Sequence, residues 1–228
     1  MKPPPLEVLY EDNHLLAVVK PAGLATMGVA PDRPSLLQRA RQYVKERYHK
    51  PGNVYLGVVS RLDAPVTGVV LFARTSKAAR RLAEQFRTRV VRKTYWAVVE
   101  GAVQPKTGEC LDFVGRNERQ RRMQVVGRTA PGAQEARLAY RRLKTDGGLS
   151  LLEVELQTGR KHQIRLQLAR RGWPILGDKK YGSRGAFPAG IALHARRLAI
   201  VHPVKGAAIE FVAPLPECWR GLGIAEGF

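Results

Sequence analysis

The sequence predicts an α+β fold, a mostly antiparallel mixed sheet with flanking helices. Three observations lead there: strand-length apolar runs recur along the chain, helical periodicity is confined to a few segments, and the two do not alternate regularly as they would around a parallel sheet. At 228 residues the chain can bury a substantial core, and we read residues 1–228 as one domain with a flexible Pro-rich lead-in over 1–5.

Apolar segments at 6–10 and 14–19 have strand length, and Pro21-Ala22-Gly23 then turns the chain. Ser35 with Gln38 makes a capping-box pattern ahead of Leu37, Ala40 and Val44, which predicts a helix over 35–48, ended by the stretch containing Pro51-Gly52. A further apolar segment covers 55–59, and the continuous run 69–73 suits a buried strand. Ser76 is the expected cap of a second helix, with Ala79, Leu82, Ala83 and Phe86 facing a core. Its Lys77, Arg80, Arg81 and Arg87 read either as a solvated face or as RNA contacts. Strands are expected at 93–99, 137–144, 149–156, 191–200 and 209–212, the second and third joined as a hairpin across Asp146-Gly147-Gly148. The Arg- and Gly-rich region 116–128 reads as a mobile basic loop or a hairpin.

Lys and Arg number 39 against 19 acidic residues, a net charge of +20 that attracts phosphates and releases counterions on binding. Nucleic acid is the expected partner. Two cysteines without paired spacing suggest neither a disulfide framework nor a zinc site. No apolar signal core opens the chain and no run approaches the ~20 residues of a membrane span, so a cytoplasmic location is expected. The absence of heptads and of a large apolar stripe favours a monomer.

The chemistry concentrates in two stretches, Ser60-Arg61-Leu62-Asp63 and Thr158 through Arg165. Asp63 falls in a strand-to-strand turn with Pro65 and Gly68, at the apex of a loop on a rigid sheet. Taken alone, it reads as an Asx-type turn residue before it reads as a catalytic one. The second stretch alters that balance. If Thr158 and Gly159 start a helix, Arg160, Lys161 and His162 occupy its first turn, where positive charge opposes the macrodipole unless an anion binds. Arg165, between Ile164 and Leu166, is expected to be partly buried and therefore to need a paired anion, best a bidentate carboxylate. Such a cation would keep an enclosed Asp63 ionised, the form a nucleophile requires.

On these residues the chain resembles the RluA family of RNA pseudouridine synthases over nearly its whole length. Asp12-Asn13-His14-Leu15-Leu16 through Lys20-Pro21-Ala22-Gly23-Leu24 is similar to the family's opening segment. Arg61-Leu62-Asp63 with Thr67-Gly68 is similar to its catalytic motif, Lys93-Thr94-Tyr95 with Gly101 to its tyrosine motif, and Thr158 through Arg165 to its C-terminal motif. Pro174-Ile175-Leu176-Gly177-Asp178 with Tyr181-Gly182 continues the last match. The resemblance implies the pseudouridine synthase catalytic fold and a reaction in which Asp63 attacks the target uridine. The C–N glycosidic bond then breaks, and the uracil rotates and rejoins through carbon, with no cofactor or metal. By the same likeness, Tyr95 stacks on the uracil, Arg165 pairs with Asp63, and Arg61 holds the extruded nucleotide. Ile164 and Leu166 shape an apolar wall. Without the resemblance, Tyr95 reads as a core aromatic and Arg61 as a phosphate-binding surface cation.

Three departures bear on how a target loop is gripped: Ser60 and Gln167 stand where the family usually has His, and Ala64-Pro65-Val66-Thr67 replaces a more polar run. No separate N-terminal RNA-binding domain is expected, so docking falls to the basic surface. The resulting expectation is an RNA pseudouridine synthase acting on ribosomal or transfer RNA. The alternative is a non-catalytic RNA-binding module of the same fold. A metal-dependent nuclease would want clustered carboxylates or His ligands around Asp63, which the sequence does not offer.

Overall fold

The capping box forms as the spacing predicts. In the computed structural model, which describes residues 5–30 and 32–223, the Ser35 hydroxyl accepts from Gln38 N–H and the Gln38 side chain accepts in return from Ser35 N–H at 2.8 Å. The helix α1 (Leu36–Arg47) follows, burying Leu36, Ala40 and Val44. Of the Pro-rich lead-in expected over residues 1–5, only Pro5 lies within the described residues.

The described residues divide into two compact units, 5–30 and 32–91 with Ala195–Leu215, and Arg92–His194 with 216–223. In the first, β1 (Val8–Glu11), β2 (Leu15–Lys20) and β4 (Thr67–Ala73) lie side by side, the short β3 (Gly57–Val58) also pairing with β4. All three pairings are antiparallel. Every residue of β4 is buried, as the uninterrupted apolar run 69–73 implied. Two apolar clusters form here. Leu15, Ala17, Val69 and Leu71 pack with Leu82 of the helix α2 (Ser76–Arg87), whereas Leu16, Val18, Val70 and Phe72 pack with α1. The period-2 alternation of β2 and β4 thus serves a different helix on each face.

The second unit is a run of antiparallel strands in spatial order β5 (Arg92–Glu100), β9 (Leu149–Leu156), β8 (Gln134–Asp146), β6 (Thr107–Asn117) and β7 (Arg122–Val126). The β8–β9 hairpin turns at Gly147 and Gly148, with φ of +54° and +76°. Positive φ at both central residues is the requirement that selects Gly-Gly there. Region 116–128 is a hairpin, β6 returning as β7. The remaining strands, β10 (Leu193–Val201) and β11 (Ala208–Val212), pair antiparallel. No helix among the described residues is long and apolar enough to cross a membrane.

Three local expectations are corrected. The cap of α2 is Thr75, not Ser76, and its side chain accepts from Ala78 N–H. That shift alters the buried face: Ala78 and Leu82 are buried and Ala83 is exposed. The helix α3 (Gln163–Arg170) starts later than expected, with His162 at its N-cap in the left-handed region. Arg160 and Lys161 therefore precede the helix, and the macrodipole penalty argued for them does not arise.

Candidate active site

Asp63 sits on the segment between β3 and β4, where Val66 N–H donates to its main-chain carbonyl at 3.0 Å and closes a turn. The segment joining β2 to α1 clamps this turn. The Thr26 hydroxyl, buried, donates to Leu62 O at 3.0 Å and accepts from Leu62 N–H at 3.1 Å, while Gly23 N–H donates to Ala64 O at 2.9 Å. Leu62 packs against the α1-side cluster. Gly68, just beyond, has φ of +116°, and a Cβ there would collide with the backbone of Ala195. Only glycine fits where the chain leaves the turn.

Beneath the turn lies Lys20, the last residue of β2 and fully buried. Its ammonium donates to the carbonyl oxygens of Pro21, Leu24 and Ala64 at 2.8, 2.7 and 2.9 Å. Three acceptors match three N–H bonds, a complement that only the protonated amine has. Burial pushes the Lys20 pKa down to about 7, and the Asp63 carboxylate works against that by favouring the charged form. In the sequence Lys20 stands out only as part of the opening motif; a lysine ending the apolar run 15–19 is the available signal of a buried amine.

In the second unit Arg165 lies on α3 and is 5% exposed. Its Nε and Nη2 donate to the two carboxylate oxygens of Asp178 at 2.6 and 2.9 Å, the bidentate carboxylate that a buried guanidinium was expected to need. The expected partner was Asp63; the carboxylate found in that bidentate role is Asp178, 1% exposed. The guanidinium also lies 5.1 Å from the ring centroid of Tyr181. The Tyr181 hydroxyl shares a 2.8 Å hydrogen bond with His162 Nδ1 and accepts from Met123 N–H at 3.3 Å. Arg165 is thereby oriented from two sides.

The Thr158–Gln163 stretch builds the lead-in to α3. Gln163 Oε1 accepts from the Thr158 hydroxyl at 2.8 Å and from Arg160 N–H at 3.0 Å, and Gln163 Nε2 donates to Arg137 O at 3.0 Å. This side chain does the work of a cap from inside the helix. Gln167, one of the departures, is fully buried and its amide faces Asp112 Oδ2, Ala136 O and Cys110 O at 2.7, 3.0 and 3.2 Å. It fastens α3 to β6 and β8. Ile164 and Leu166 are both buried, Leu166 within a cluster of Val114, Met123, Ala136 and Tyr181. Tyr95 is half-buried on β5 opposite Val154, and Arg61 is exposed.

Fold and site together define a basic α+β protein with a carboxylate presented on a fixed turn above a buried ammonium, and a buried, oriented guanidinium in its second unit. Comparison with known proteins gives the family. Residues 14–170 match the family model described as RNA pseudouridylate synthase. The chain is 35% identical over 223 residues to an RNA pseudouridine synthase of Synechocystis sp., covering 96% of this chain and 68% of that one. It is 34% identical over 230 residues to ribosomal large subunit pseudouridine synthase D of Pseudomonas aeruginosa, covering 93% and 69% respectively. Among solved structures, human RNA pseudouridylate synthase domain containing 4 superposes with a TM-score of 0.76 at 26% identity, covering 92% of this chain and 89% of that one. The chain belongs to the RluA family of RNA pseudouridine synthases, isomerases that convert uridine in RNA to pseudouridine.

Proposed function

We propose that this enzyme isomerises a specific uridine of structured RNA with Asp63 as its nucleophile. The carboxylate attacks the nucleoside, and the C–N glycosidic bond breaks with its electron pair leaving on the uracil. The ring turns and a ring carbon closes the new bond to the sugar as Asp63 is released; that carbon gives up its hydrogen to solvent and the freed ring nitrogen takes up a proton, so that the product is an isomer of the uridine. The observation that carries this assignment is the turn that presents Asp63, clamped through its main chain by Thr26, Gly23 and the buried Lys20 amine.

Arg165, oriented by Asp178, supplies the guanidinium partner of the reacting carboxylate. Tyr95 stacks on the uracil, Arg61 holds the extruded nucleotide, and Ile164 and Leu166 back the site with apolar surface. The enzyme acts in the cytoplasm as a monomer, without metal or cofactor. The name of the Pseudomonas relative favours large-subunit ribosomal RNA over transfer RNA as the target, and the net charge of +20 suits either. Chemical mapping of pseudouridine in total RNA from cells with and without the gene tests the reading. Loss of one or a few ribosomal sites is expected, and identical maps contradict it.

A further inference from the structure

On α1, Gln38, Arg41, Gln42 and Lys45 follow the spacing i, i+3, i+4, i+7 and so form one stripe, distinct from the buried stripe of Leu36, Ala40 and Val44. Across from them runs the segment 52–55. The two enclose an open groove of about 660 Å³ lined by those four side chains with Gly52, Asn53, Val54 and Tyr55, a volume in the range of small-ligand sites. The packing fixes which way Tyr55 faces. Val54 packs against the α1-side cluster and Leu56 is 3% exposed, so Tyr55 between them turns outward and stands 51% exposed. The lining holds two cations, three amides and this ring, and no carboxylate. Glu46, on the same helix, accepts from Gln42.

We propose that this groove is a second RNA-binding subsite, which takes one unpaired nucleotide of the substrate with its base on the Tyr55 ring and its phosphate on Arg41 and Lys45. An exposed aromatic beside cations is what sequence-tolerant single-strand binding uses: any base has a face to stack, and any phosphate pairs with a guanidinium or ammonium. The Asn53 carboxamide supplies a donor and an acceptor for a base edge, and Gln38, whose oxygen is held in the capping box, a donor from its amide nitrogen. This subsite rests on the reading of the protein as an enzyme of RNA. It extends that reading by giving the substrate a second fixed point away from the reacting uridine.

The test uses the full chain and a single-stranded decauridylate carrying one 4-thiouridine. Photocrosslinks are expected to map to residues 54–56. Tyr55→Ala should weaken binding about tenfold, whereas Tyr55→Phe, which keeps the ring, should bind like the parent. The double variant Arg41→Ala/Lys45→Ala should flatten the slope of log affinity against log salt by about 1.4. With a saturating transcript, all three should keep the parent's rate of tritium release from 5-tritiated uridine, Tyr55→Ala and the double variant at a raised KM. No crosslink at residues 54–56, an unchanged affinity in Tyr55→Ala, or equal binding of a ten-base-pair duplex overturns the subsite. A parent enzyme that releases no tritium contradicts the proposed function instead, and the crosslink map remains readable.

Discussion

Around Asp63 the fixing bonds end on main chain: Lys20, Gly23 and Thr26 all bind carbonyl or amide groups of Leu62 and Ala64. Around Arg165 they run between side chains, Asp178 taking the guanidinium in both oxygens and Tyr181 lying against it. The difference suits two jobs. Clamping a backbone fixes where the Asp63 turn sits through main-chain groups alone, whereas a bidentate pair commits a side chain to one orientation. It also makes the two regions fail differently.

The side-chain-held region should lose most. Arg165→Met strands the Asp178 carboxylate in a buried site and is expected to cost about 3–5 kcal/mol. Asp178→Leu added to it removes the stranded charge and should recover much of that loss. Denaturant midpoints of the single and double variants, analysed as a cycle, decide this, and a double variant no more stable than Arg165→Met contradicts the pair's isolation from water.

In the backbone-held region Lys20→Met removes the buried amine that the Pro21, Leu24 and Ala64 carbonyls share, an expected loss of about 1–3 kcal/mol at pH 9, where that amine is uncharged. The folded value of about 7 lies below the unfolded value of ~10.4, so between them the unfolded chain binds the extra proton. Stability contributed by Lys20 is therefore present above ~10.4 and is lost as pH falls toward about 7. The gap between parent and variant should narrow over that window. A gap that widens on acidification would break the account of Lys20. Thr26→Val, which removes one donor and one acceptor from Leu62, is the mildest change, about 1 kcal/mol by urea melts. It should lower turnover more than its small stability cost explains, because the Asp63 turn loosens; unchanged turnover would show that the clamp is dispensable.

The same contrast separates what the sequence reveals from what it hides. Features closed within a few residues were legible: the Ser35–Gln38 box, the Gly147-Gly148 turn and the buried run of β4 all follow from local stereochemistry. Where two local solutions compete, the reading slipped. Thr75 and Ser76 can each cap a helix, and the choice moved burial from Ala83 to Ala78. Gln163 reaches back to Thr158 and Arg160 N–H, so α3 begins without the cap that its approach suggested. Least legible were partners separated in sequence. That Arg165 needs a carboxylate followed from its apolar flanks, but Asp178 lies on a loop beyond α3 and no spacing rule names it. Lys20 was similarly opaque, because three carbonyl acceptors leave no trace in side-chain identity. The role of Gln167 became visible only through the three oxygens around its amide.

Asp63 as nucleophile is tested most directly by single-turnover tritium release from 5-tritiated uridine RNA by Asp63→Asn, at enzyme concentrations where the variant's measured RNA affinity equals the parent's. The amide is a far poorer nucleophile, while the turn that carries it is held by main chain and should persist with an unchanged melting midpoint. Release at background with binding and fold intact is the predicted result; release at the parent's rate would contradict it.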